Sequence, residues 1–279
     1  MDRVQSVTEL VTSGANPVVK RVRQLADRKH RRRQGAFVVD GLQPVWRAVT
    51  AGWSLEVLIV APDLLTQPDA RTMVEELDSS GVRVVRVSRD LFLRLSDRDG
   101  PSGLMAIVGG TVAGLAEFTP AAGSPVVALD RPANPGNIGT IIRTADAAGA
   151  GGLITVGASA DPTAPTAVKS SMGSLFALPV AHADDPDQLL RWAAGADRAI
   201  YAVTGSGQHD HWSVTYPGSV VLLLGSEGPG LPDDIIARCD MTVRIPMTGT
   251  AESLNLATAA SVVLYEAARC RAGTTPRKS

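Results

Sequence analysis

Val126-Val127-Ala128-Leu129-Asp130, followed by Asn134-Pro135-Gly136-Asn137-Ile138-Gly139-Thr140-Ile141-Ile142-Arg143, decides how this chain folds. An apolar run of strand length ends in an acid, and a glycine-rich turn leads into a helical pattern. Ile138, Ile141, Ile142 and Ala145 recur at helical spacing as one apolar stripe, which leaves Arg143 on a different face. Gly136 and Gly139 permit close backbone approach, and Asn137 can cap the helix. The same grammar recurs downstream. Leu224-Gly225-Ser226-Glu227-Gly228-Pro229-Gly230-Leu231 closes an apolar run at 219–224. Ile245-Pro246-Met247 closes another at 241–245 and leads into Ser253-Leu254-Asn255. Glycines and small polar groups thus fall where strands end, which is where open α/β sheets bind ligands.

Further strands at 152–156 and 199–203 and helices at 138–148 and 254–270 complete the pattern. Continuous apolar strands alternating with helices indicate a parallel sheet covered on both faces. Upstream, strands at 36–39, 56–60, 82–87 and 104–108 alternate with helices at 42–49 and 71–77, a small α/β domain. The expected organisation is therefore a first domain over 10–112, a linker over 113–124, a second domain over 125–271 and a flexible tail over 272–279. Gly114, Pro120 and Gly123 suggest the linker.

The net charge of −1 says nothing about nucleic acid, but its distribution does. Asn16-Pro17 is a helix start, Val18, Val22 and Leu25 share its apolar face, and Gly35 ends the segment. Lys20, Arg21, Arg23, Arg28, Lys29, Arg31, Arg32 and Arg33 crowd this stretch, opposed within it by Asp27 alone. Such a run suits phosphate contacts, which anchor RNA without reading its sequence. The polar stretch 1–9 lacks the apolar region of a signal peptide, and 220–224 is far too short to span a bilayer. Cys239 and Cys270 sit in no paired motif, which suits a reducing cytoplasm.

Several chemistries are excluded by their missing residues. After Gly230 stands Leu231-Pro232 where a P-loop needs Lys followed by Ser or Thr, and no G-x-G-x-x-G opens a helix. Neither H-E-x-x-H nor G-x-S-x-G occurs. His209-Asp210-His211 lacks a third ligand and reads as a solvated loop rather than a zinc site. A tight turn accounts for the glycines of 225–230, but not for an acid, Glu227, among them. Ser253 can cap the helix that follows, with Asn255 near its start. That helix is apolar nearly all round, as expected of a buried one.

Taken together and in this order, the three segments resemble the motifs of the SpoU-type (TrmH-like) RNA 2'-O-ribose methyltransferases of the SPOUT superfamily, over 126–269. The resemblance implies a parallel-sheet α/β domain tied in a trefoil knot, preceded by a small α/β RNA-binding domain like certain ribosomal proteins. Ala36-Phe37-Val38-Val39-Asp40-Gly41 fits the first strand and turn of that smaller domain. It also implies S-adenosylmethionine as cofactor, held near Thr204, Gly225, Ile245 and Leu254. Asn137, Arg143, Glu227, Ser253 and Asn255 form the reactive side. Lys20, Arg21, Arg28, Lys29, Arg31, Arg32 and Arg33 are the expected RNA contacts. Arg143 is the residue credited with helping deprotonate the ribose hydroxyl. A guanidinium is an awkward base, so a bidentate clamp on a substrate phosphate is an equally physical role. By the same resemblance, 170–174 lies near the substrate pocket and Lys169 touches phosphate. The implied enzyme is a cytoplasmic homodimer without metal, acting on 23S ribosomal RNA for routine modification or for protection against a ribosome-directed antibiotic. The alternatives are a catalytically idle RNA-binding relative, an enzyme of transfer RNA, and a nucleotide-dependent oxidoreductase, the last disfavoured by the missing Rossmann glycines.

Overall fold

The structure, a computed structural model, describes residues 10–274. The polar stretch 1–9 and residues 275–279 of the expected tail lie outside the described residues. The chain forms two compact units, the first running to Thr111 and including the short segment Thr163–Pro165, the second comprising Val112–Pro162 and the residues from Thr166 on.

The first unit contains α1 (Pro17–Gln24), α2 (Arg28–Gln34), β1 (Ala36–Asp40), α3 (Leu42–Thr50), β2 (Leu55–Val60), α4 (Pro68–Ser79), β3 (Arg83–Arg86), α5 (Arg89–Leu93) and β4 (Leu104–Gly109). Its sheet runs β1-β4-β2-β3, with β4 antiparallel to both neighbours and β2 parallel to β3. Val18, Val22 and Leu25 pack against Val57, Ile59, Met105 and Ile107 on one face of this sheet.

The single basic helix expected between Asn16 and Gly35 is in fact two. Asn16 caps α1 through the Val18 N–H, as its sequence suggested, but Leu25 is fully buried and the chain turns there. Asp27 then opens α2 by accepting from the Lys29 N–H at 2.8 Å. Gly35, at φ 57°, ends it in the left-handed conformation that glycine adopts without strain.

This break changes the reading of the basic run. Arg31 is only 5% exposed and donates from Nη1 to the carbonyls of Leu25 and Ala26, at 3.0 and 2.7 Å. It satisfies carbonyls at the end of α1 and is removed from the expected RNA contacts. Arg21 is half-buried and engaged by Glu56 at 2.5 Å and Gln34 at 2.8 Å. Lys20, Arg23, Arg28, Lys29, Arg32 and Arg33 remain exposed.

The second unit contains β5 (Ala113–Gly114), β6 (Val126–Asp130), α6 (Pro135–Ala147), β7 (Gly152–Val156), α7 (Pro165–Ser171), β8 (Val180–Ala183), α8 (Pro186–Gly195), β9 (Ile200–Val203), β10 (His209–Asp210), β11 (Val221–Leu224), α9 (Asp233–Ile236), β12 (Met241–Arg244) and α10 (Leu256–Thr274). Its strands run β10-β12-β9-β11-β6-β7-β8-β5, and every pairing is parallel. From β6 the chain moves outward through β7 and β8, then returns to the other side for β9, β11 and β12. The reversal point lies between β6 and β11, so their C-terminal ends open the crevice that a doubly wound sheet offers a ligand.

Three expectations need correction here. Segment 113–124 is no free linker: β5 extends the sheet, and Leu115 and Phe118 are buried, the latter packing at a tilt against Trp192. Its glycines and prolines masked two apolar anchors. The tail does not begin at 272, because α10 continues to Thr274. His211 is not solvated. It is buried beside Trp212, and its carbonyl accepts from the Tyr216 hydroxyl at 2.8 Å. β8 and α8 were not anticipated, since β8 is only four residues long, although Asp185-Pro186 repeats the cap-and-proline signature. No helix among the described residues is long and apolar enough to cross a membrane.

Candidate active site

The site is built from four strand ends. At the end of β6, Asn134 rather than Asn137 caps α6, its Oδ1 accepting from the N–H groups of Gly136 at 2.8 Å and Asn137 at 3.3 Å. The Asn-Pro pair at 134–135 is the signal used correctly at 16–17, and it could have identified this cap. Freed of capping, the Asn137 side chain donates from Nδ2 to Glu227 Oε1 at 2.9 Å. Because a carboxylate only accepts, this fixes the orientation of the Asn137 amide and turns its Oδ1 outward. There it accepts from Asn255 Nδ2 at 3.3 Å, while Asn255 Oδ1 accepts from the Ala257 N–H at 2.9 Å. Asn255, not Ser253, is therefore the side chain that caps α10.

Glu227 is the hub. Its Oε2 also accepts from the Ala133 N–H at 3.0 Å. Burial pushes its carboxyl upward, but the Ala133 N–H, the Asn137 amide and the N–H groups of Glu227 and Asn134 outweigh this and hold it below the ordinary carboxylate value. The result is a fixed anion with a donor on each carboxylate oxygen.

The turn carrying Glu227 is tight. The Gly230 N–H donates to the Ser226 carbonyl at 3.1 Å, and Gly228 and Gly230 have φ of 91° and 70°. A Cβ on Gly225 would lie 2.2 Å from the Gly230 carbonyl carbon, so no side chain fits there. The neighbour that excludes it is the turn's own backbone, not a ligand. Gly139 plays the same part in α6, where a Cβ would meet the Ala167 carbonyl oxygen at 2.2 Å.

Beside this lattice lies a cavity of about 970 Å³, lined by Thr204, Gly225, Ile245 and Leu254 together with Glu227, Ser253 and Asn255. Arg244 and Glu252 supply further charge at its wall, and sequence reasoning missed both. Arg244 is held by Asp210 at 2.7 Å. Arg143 is the exception. It is exposed on α6, outside the cavity lining and the Glu227 lattice, and has no side-chain partner among the described residues. Lys169 sits in the last turn of α7, which ends at Ser171. Among the described residues, no group of three or more His, Cys, Asp or Glu is placed to hold a metal ion.

A parallel α/β sheet with this crevice has the fold of a SpoU-type methylase. The SpoU rRNA Methylase family model matches residues 124–265, and an MRM3-like substrate binding domain model matches 16–106. The chain belongs to the SpoU rRNA methylase family. It is 36% identical over 253 residues to the 23S rRNA (uridine(2479)-2'-O)-methyltransferase of Streptomyces viridochromogenes, covering 88% of this chain and 87% of that one. It is 26% identical to the 23S rRNA (guanosine(2553)-2'-O)-methyltransferase RlmP of Bacillus subtilis, covering 91% and 97%. Among solved structures, the AdoMet-bound rRNA methyltransferase from Sinorhizobium meliloti is similar with a TM-score of 0.84 and 37% identity, covering 94% and 97%.

Proposed function

We propose that this protein transfers a methyl group from S-adenosylmethionine to a ribose 2'-hydroxyl of 23S ribosomal RNA. The observation that carries this reading is the cavity at the ends of β9, β11 and β12 with the Glu227–Asn137–Asn255 lattice on its wall. Ribosomal rather than transfer RNA is favoured because both named relatives act on 23S rRNA, at different nucleotides.

The donor set fits the cofactor. Val203, Leu224, Ile245 and Leu254 give the cavity an apolar lining suited to an adenine ring, and the glycine-rich turn brings backbone groups close. Arg244 and Glu252 match the charges of an amino-acid end. Thr204, Gly225, Ile245 and Leu254 would hold the cofactor, which when bound supplies an activated methyl group on sulfonium. The protein's own contribution is alignment and exclusion of water. Glu227 holds Asn137, Asn137 orients Asn255, and Ser253 lies beside them. Held on both oxygens and kept below the ordinary carboxylate value, which makes it a weak base, Glu227 anchors this lattice rather than taking the hydroxyl proton. Arg143 stands apart, free to grip a phosphate of the substrate and turn the hydroxyl toward the methyl group.

The same reading includes RNA contacts from Lys20, Arg28, Lys29, Arg32 and Arg33, a minor role for half-buried Arg21, and a cytoplasmic location. It includes a homodimer, supported by Trp212 and Tyr265, which remain 55% and 56% exposed where the segment 211–213 meets α10. It also includes the trefoil knot, supported by the path of α10. This helix follows β12, which lies three places from β6 in the sheet, yet it runs along α6. The decisive experiment maps ribose methylation on 23S rRNA with and without the protein and its cofactor. One new protein-dependent 2'-O-methyl position is expected. No such position in ribosomal RNA, with methylation of transfer RNA instead, would overturn the substrate assignment.

A further inference from the structure

We propose that Asp130 and Arg131 are positioning residues for Glu227: their side chains lock the turn that aims the backbone N–H groups of Ala133 and Asn134 at its carboxylate. The proposal rests on the reading of Glu227 as the anchor of a methyl-transfer site.

Arg131 has φ 47°, a left-handed conformation that costs a non-glycine residue strain. Something must hold it there. Its Nε and Nη2 both donate to Oδ2 of the preceding Asp130, at 3.0 and 2.9 Å. That carboxylate is 2% exposed, and its Oδ1 is buried without a hydrogen-bond partner. A buried, half-satisfied acid at a strand end is unfavourable by itself. It becomes intelligible as the clamp on the arginine fork. Across the turn, a Cβ on Gly157 would sit 3.2 Å from Arg131 Cγ, so the arginine stem lies over a residue that leaves it room.

The backbone is pinned on both sides of the bend. The Arg131 N–H donates to the Val156 carbonyl at 2.9 Å, and the Pro132 carbonyl accepts from the Ala160 N–H at 2.8 Å. The next N–H, of Ala133, donates to Glu227 Oε2 at 3.0 Å, and the Asn134 N–H beyond it helps to lower the same carboxyl. Neither Asp130 nor Arg131 lines the cavity, so their effect passes through Glu227. The groups holding Glu227 are all uncharged. Arg244 and Glu252, the other charged residues around the cavity, are not among those that shift it.

The test compares Arg131→Gly, Arg131→Asn, Asp130→Asn and the Asp130→Asn/Arg131→Gly double variant with the wild type. It measures single-turnover methyl transfer at saturating cofactor, cofactor Kd, and the rate from pH 5 to 8. Glycine and asparagine tolerate the left-handed backbone, so these variants remove the clamp without adding strain. The rate should fall by about tenfold with cofactor Kd unchanged, as expected for a misplaced group rather than a lost pocket. The double variant should be no slower than the slower single variant. Burial raises the Glu227 carboxyl and these backbone donors lower it, so loosening them should raise it. The variants should then lose activity on acidification at a higher pH than the wild type does. Wild-type rate and pH profile in Arg131→Gly would overturn the proposal, showing that backbone freedom suffices. So would equal losses in cofactor affinity and rate with no acid limb, the mark of general loosening. Absence of methyl transfer by the wild type would instead sink the proposed function.

Discussion

On α1 and α2 of the first unit, Lys20, Arg23, Arg28, Lys29, Arg32 and Arg33 are all exposed, and no hydrogen bond joins one of these cations to another. At the strand ends of the second unit, the polar groups are linked in series, from Ala133 through Glu227 and Asn137 to Asn255. The two arrangements respond differently to damage. Separate charges act nearly independently, so losses add and each is small. A linked lattice fails as a whole, because every member orients the next. Arg31 and Arg143 cross this division. Arg31 lies among the surface cations but is built into the fold, and Arg143 lies near the lattice but outside it.

The largest expected effect on the transfer step itself comes from Arg143. Arg143→Ala should lower methyl transfer by at least about a hundredfold while cofactor Kd and melting temperature stay near wild type. Arg143→Lys keeps the charge and loses the fork, so it should fail nearly as badly. Near-normal turnover by the lysine variant would show that charge alone suffices. Next comes Gly225→Val, which should abolish cofactor binding by deforming the 225–230 turn. Calorimetric titration checks this, and retained binding would mean that the turn can relax without disturbing the cavity.

A third test concerns where the second unit begins. A fragment starting at Val112 should be more stable than one starting at Ser124, which lacks Leu115 and Phe118. Each buried side chain is worth about 1.5–3 kcal/mol, so thermal melts should separate the two clearly. Equal melting temperatures would return 113–124 to the status of a linker. Within the basic run, Arg31→Ala should cost about 1–3 kcal/mol of stability by leaving two carbonyls unpaired. It should leave the salt dependence of RNA binding unchanged. The Arg32→Ala/Arg33→Ala pair should do the reverse. Stability should move by less than about 0.5 kcal/mol. The log–log slope of RNA affinity against salt should fall by roughly one unit for each phosphate no longer neutralised. Unchanged RNA affinity in that pair would mean that RNA is gripped elsewhere.

The strand ends were legible in the sequence because apolar runs closed by glycine, proline and a lone acid have few other meanings. Glu227 stood out for that reason. The partners of each polar group were not legible, since hydrogen bonds across ninety or more residues leave no local pattern. The Asn-Pro pair at 134–135 pointed to Asn134 as the cap, but that the Asn137 freed by it would reach Glu227 could not be read locally. Ser253 and Asn255 were confused, both being good capping residues two positions apart. Arg31 escaped because periodicity was read through Asp27 as one helix. Once the helix breaks there, the face assignments of all later residues rotate. Arg131 carried no signal at all, as an arginine gives no hint of a left-handed backbone.

The bond from Asn255 to Asn137 joins residues 118 positions apart. During synthesis, the first unit and most of the parallel sheet can emerge and fold before Asn255 exists outside the translating machinery. The Asn255 link that closes the lattice can therefore form only after the rest of the lattice and most of the sheet are available. Domains fold as units from the N-terminus onward, and contacts of such long separation form slowly. A nascent or truncated chain would display its basic helices well before it could transfer a methyl group, so RNA binding should precede catalytic competence in time as well as along the chain.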